Sequence, residues 1–132
     1  MKAWPVIILI VVLLLATTPA FAQKSEAVPK YNQATEITVK GTVDEVKDHM
    51  CPVSGGMGAH VILKLGDGKT IEVHLATTKF VKTYELTFEK GDQLEVTGSK
   101  VTLDGVETIY AREVKRGNDI FVFRDKEGKP VW

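Results

Sequence analysis

Every histidine, the sole cysteine and two of the three methionines lie between residues 49 and 74. A thiolate and a thioether favour Cu(I), and imidazole suits copper or zinc. Cys51, Met57, His60 and His74, with Met50 as a further sulfur donor, are therefore candidate ligands for Cu(I) or Zn(II). Glu72, two residues before His74, adds a carboxylate to the same candidate ligand-binding surface. None of the spacings is a recognised metal motif, since CxxC and HxxxH are both absent. The same residues also read as ordinary surface histidines and as methionines filling gaps at the mouth of a core.

Other chemistries find less in this stretch. Cys51-Pro52 suggests a haem thiolate, but without CxxCH there is no covalent attachment signal, which speaks against haem. A catalytic thiolate needs a base, an orienting group and an oxyanion site. For Cys51, His49 or His60 could supply the base and the Gly55-Gly56 amides the oxyanion site, and nothing in the sequence supplies the orienting group. Ser54-Gly55 lacks the GxSxG turn, and Gly55-Gly56-Met57-Gly58 lacks the Lys-Ser/Thr of a phosphate loop. The expectation is a binding module, not an enzyme.

The positioning elements follow from the periodicities. Ile37, Val39, Gly41 and Val43 alternate as a strand, and Val46 changes parity, which predicts a bulge near Asp44-Glu45. Gly41 marks a bend or a close backbone approach. Residues 48–58 read as a glycine-rich loop. Ala59, Val61, Leu63 and Leu65 then alternate with His60, Ile62 and Lys64, and Ile71, Val73 and Leu75 with Glu72 and His74. Matching the two apolar faces requires an odd turn, taken as Asp67-Gly68-Lys69. That register sets Leu65 against Ile71 and His74 against Ile62, with His60 a diagonal step away on an outward polar face. Thr78 is the expected cap of a short helix carrying Phe80, Val81 and Tyr84. Strands through Leu94–Leu103 and Ile109–Ala111 follow, and residues 117–132 form either an extra strand or a partner-docking tail.

This order predicts an all-β fold: a small, five- to six-stranded OB-fold-like Greek-key barrel with one short helix after strand three. Residues 1–22 carry Lys2, an apolar run from Val6 to Ala16 and the small residues of Ala20-Phe21-Ala22, the pattern of a cleaved signal peptide. The apolar run is too short to span a bilayer, so no permanent membrane segment is expected after cleavage. Residues 23–35 read as a flexible lead-in, and 36–132 as the barrel domain. The protein is expected to be periplasmic or secreted, where a lone cysteine permits a monomer or a Cys51-linked dimer. The formal net charge of zero argues against a nucleic-acid binder. A local patch of Lys79, Lys82, Lys90, Lys100, Arg112, Lys115 and Arg116 keeps that alternative open.

Three segments carry a resemblance. Residues 37–43 (ITVKGTV), 65–73 (LGDGKTIEV) and 90–98 (KGDQLEVTG) resemble the bacterial periplasmic OB-fold (BOF) proteins over about residues 36–115. The resemblance implies an exported single-domain barrel that binds a ligand without an assigned chemistry. The long first loop and segment 117–132 depart from it. The resulting expectation is an exported, non-enzymatic binding module. Its ligand, a small molecule, peptide or protein, would sit on loop 48–58 and the outer face of strands two and three. Copper or zinc handling through Cys51, Met57, His60 and His74 is the alternative.

Overall fold

The computed structural model describes residues 28–132, so the signal-peptide expectation lies outside the described residues. Six strands form one sheet: β1 (Glu36–Cys51), β2 (Gly56–Leu65), β3 (Thr70–Thr77), β4 (Gln93–Leu103), β5 (Val106–Arg116) and β6 (Asp119–Val122). A short helix, α1 (Thr78–Thr83), follows β3. The strand order is β3-β2-β1-β4-β5-β6, and a parallel pairing of β3 with β5 closes the first five strands into a barrel. This is the expected small all-β barrel with one helix after strand three.

Strand β1 serves both halves of the sheet, pairing with β4 through residues 36–42 and with β2 through residues 41–51. It must therefore coil sharply, and two features allow it. The register slips between Val43 and Glu45, where the parity change placed a bulge. At Gly41 a Cβ would lie 2.5 Å from the Lys64 carbonyl oxygen, so only glycine lets β2 approach there. The inward parity of the five barrel strands fills the interior, with Val43, Val61, Leu63, Val73, Leu75, Val96, Ile109 and Val114 among its most buried side chains. Val81 from α1 and Phe88 extend that core.

Four expectations require correction. The loop 48–58 is mostly strand: β1 and β2 stay paired to Cys51↔Gly56, leaving only residues 52–55 as the turn. The β2–β3 turn has the expected odd length but sits one residue earlier, with Leu65 N–H donating to the Lys69 oxygen at 2.8 Å. Leu63 thus faces Ile71, Ile62 faces Glu72, and His60 faces His74 directly. Thr77, not Thr78, caps α1, its side chain accepting from the Phe80 N–H. Part of the lead-in is also docked: residues Gln33–Thr35 form a 3-10 turn, and the Tyr110 hydroxyl donates to the Pro29 oxygen at 3.0 Å.

Segment 117–132 is structured. β6 pairs with the end of β5, and the chain then turns back through an Arg124↔Pro130 bridge. This return lays Trp132 against His74, with ring centroids 5.6 Å apart. Four of the seven residues of the basic patch have an acidic partner. Lys100 pairs with Glu107, Arg112 with Glu36, Lys115 with Glu113 and Arg116 with Asp92, while Lys79, Lys82 and Lys90 make no ion pair among the described residues.

Candidate metal centre

Strand alternation and register bring the chemistry together. On β1, His49 and Cys51 share one parity, and their partners on β2 are Gly58 and Gly56. His60 continues that face, and its partner across β3 is His74, with Glu72 two residues before it. One face of three adjacent strands therefore carries His49, Cys51, His60, Glu72 and His74, with two glycines between them. Met50 and Met57 face each other on the opposite parity and are exposed. They are not part of the cluster, which corrects their assignment as ligands.

The face is not open, as an outer barrel face would be. His60 is 1% and His74 0% exposed, and Cys51 is 4% exposed. The parity was right, but the turn after Cys51 and the returning C-terminal segment cover it. A bridge from Cys51 to a second chain would need this covering to open.

Two overlapping ligand sets result. Cys51, His60 and His74 place one donor atom each within 4.8 Å of one another, and so do His49, His60 and Glu72. His60 belongs to both. Its Nδ1 lies 3.0 Å from Glu72 Oε1, yet off the direction in which a ring N–H could donate, so it has no hydrogen-bond partner. Among the described residues, His60 Nε2 and His74 Nδ1 are also buried without partners. His74 Nε2 lies 2.7 Å from Ser54 Oγ. A Cβ at Gly58 would sit 2.6 Å from Ser54 Oγ, 3.1 Å from His60 Nε2 and 3.3 Å from Cys51 Cβ. Gly58 thus leaves a space that His60 Nε2, Cys51 and Ser54 border together.

The electrostatics favour neutral imidazoles. Burial pushes the His60 pKa down to about 4, helped by the neighbouring His49 and opposed by Glu72. Burial likewise lowers His74 to about 3, with His60 and Arg124 adding to the shift. Neutral imidazole is the form that binds a metal. His49 is shifted the other way, above its ordinary value, because its Nε2 hydrogen-bonds Glu72 Oε1 at 3.0 Å. Replacing Glu72 by glutamine should bring the His49 pKa down towards its unshifted value. A two-dimensional NMR titration of the imidazole resonances would check this, and an unmoved His49 would refute the assignment to Glu72.

Outside the geometry, similarity to known sequences gives one result. The pattern of the MamS/MamX magnetosome protein family matches residues 35–121, well over half of the chain. This chain belongs to the MamS/MamX magnetosome protein family. No protein of curated function matches it. In this MamS/MamX protein the family match spans the whole Cys/His face and stops before Arg124 and Trp132. Sequence reasoning selected Cys51, His60, Glu72 and His74 and omitted His49, Ser54 and Gly58 from the site. Gly58 was accessible to it, since it shares His60's parity two residues earlier. Ser54 was not, because only the turn geometry aims it at His74.

Proposed function

We propose that this chain is an exported, non-enzymatic metal-binding module that takes Zn(II) or Cu(I) on Cys51, His60 and His74. The observation that carries this reading is the buried convergence of a thiol and two neutral imidazoles, three of whose four ring nitrogens lack a partner among the described residues. Buried polar atoms are almost always satisfied, so such orphans call for an explanation, and a cation is one. The donor separations support it. Tetrahedral zinc with one sulfur and two nitrogen ligands sets neighbouring donors about 3.5 Å apart. Side-chain movements of roughly 1 Å from the present spacing would reach that.

Three protein ligands leave a fourth position open for water or another ligand. The Glu72 carboxylate, hydrogen-bonded to His49, lies 3.0 Å from His60 Nδ1, and a rotation of the His60 ring would make it the outer partner of a ligating histidine. The signal-like residues 1–22 and the likeness to periplasmic OB-fold barrels support export. The family's description as a magnetosome protein supports a role at that organelle. A second reading uses the other face of the same ring. His49, His60 and Glu72 form a two-histidine, one-carboxylate set that suits a harder divalent ion such as Fe(II).

Native mass spectrometry of the reduced chain with Zn(II), and separately with Cu(I), tests both readings. One ion per chain is expected, lost in Cys51→Ser and His74→Ala and retained in Met50→Leu and Met57→Leu. Retention in Cys51→Ser with loss in His49→Ala and Glu72→Gln would move the ion to the second set. Uptake no greater than that of a histidine-free variant would end the proposal.

A further inference from the structure

The orphaned polar groups do not stop at the histidines. Among the described residues, Arg124 Nε and Trp132 Nε1 are also buried without partners. They continue the same line: His74 lies 5.6 Å from the Trp132 ring, and the Arg124 guanidinium carbon lies 5.4 Å from that ring. Trp132 and Arg124 can only donate hydrogen bonds, so whatever completes this end must accept them.

Arg124 is unusual within this protein. Arg112 has Glu36 at 2.7 Å and Arg116 has Asp92 at 3.2 Å, both partly exposed. Arg124 is only 5% exposed and has no carboxylate partner among the described residues, its Nη1 donating to the Gly128 oxygen at 2.8 Å. The rings of Tyr31, Tyr110 and Trp132 surround it at 5.3–5.4 Å. Aromatic faces offset part of the cost of burying a cation but accept none of its remaining in-plane N–H groups. Buried charges are otherwise paired.

Beside Arg124 lies an open depression of about 420 Å³, also lined by Trp132, Lys30 and Lys129, with Glu127 the one acidic side chain on its wall among the described residues. That volume lies in the range of small-molecule sites. Pro29, Pro52, Val53 and Pro130 give it an apolar wall as well. We propose that this depression binds a small organic carboxylate, its anionic end on Arg124 and its apolar body against the prolines and Val53. This site does not depend on the metal reading, because none of its donors is a proposed metal ligand.

The test uses the full chain carrying Trp4→Phe, so that Trp132 is the single tryptophan, with chelator present throughout. Benzoate is titrated against Trp132 emission, with benzamide as the neutral counterpart and phosphate as the anion lacking an apolar body. Saturable binding of benzoate is expected, weakened about tenfold or more in benzamide and in Arg124→Gln. Should Arg124→Gln fail to fold, Lys30→Glu with Lys129→Glu changes only exposed cations and is expected to weaken benzoate severalfold. Equal binding of benzoate and benzamide, tighter binding of phosphate than of benzoate, or unchanged affinity in the folded variants would overturn the proposal.

Discussion

Zinc supplied at a hundredfold excess over its dissociation constant should stabilise this chain by about 2.7 kcal/mol. For a domain of this size that is a rise in melting temperature on the order of 10 °C. Cys51→Ser should leave the metal-free melting temperature nearly unchanged, because the replacement is almost isosteric, and should remove most of the zinc increment. His74→Ala is expected to do more. It deletes a ligand and hollows out a fully buried position, so the metal-free protein should itself lose roughly 2–4 kcal/mol by analogy with large-to-alanine core changes. Gly58→Ala separates site from fold in a third way. Its added methyl group would enter the space next to His60 Nε2 and Cys51, reducing the zinc increment without removing a ligand. Calorimetric melts with zinc and with chelator would measure all of these. An undiminished increment in Cys51→Ser would take the ion away from the thiol.

Much of the scaffold behind this site was legible because strands announce themselves by parity. Val61, Leu63, Val73 and Leu75 alternate cleanly, and the slip at Asp44-Glu45 was visible as a parity change, so the barrel and its bulge followed. What parity cannot report is what lies over a face. His60 and His74 were correctly placed on the face away from the core, yet both are fully buried because Trp132 and the turn at 52–55 fold over them. Those coverings arrive from 58 residues or more downstream in one case and from a four-residue turn in the other, and neither has a local sequence signature. The one-residue shift of the β2–β3 turn shows a different limit. Gly66-Asp67-Gly68-Lys69 admits two odd turns, and the choice decides whether His60 meets His74 directly or diagonally. Met50 and Met57 were drawn into the site by sulfur chemistry alone. Extending the β1–β2 pairing to Cys51 sets them on the opposite parity, and that pairing was hidden while 48–58 was taken as a loop.

The metal-free chain should lose stability steeply in mild acid, and His60 and His74 set the sign. Their folded pKa values, about 4 and about 3, lie below the ordinary value of 6.5. As pH falls below about 6.5 the unfolded chain takes up protons at both imidazoles while the folded chain does not, so unfolding gains. The stability these residues contribute is complete above that point and is lost progressively down to about pH 4, where His60 begins to titrate in place. Each proton changes the unfolding free energy by about 1.4 kcal/mol per pH unit, so the pair reaches nearly 3 kcal/mol per unit. Over two units that is of the order of a small domain's whole stability. His49 works in the opposite direction, since its raised pKa favours the folded state as pH falls, but it is half-exposed and its effect is screened. Urea unfolding at a series of pH values between 7 and 4.5, with chelator, would give the slope. In His74→Gln the slope should fall by about half, because one of the two proton sinks is gone. A slope equal to that of the wild type would mean that His74 accepts its proton in the folded state, and that the neutral imidazole on which metal binding here depends is not enforced by burial.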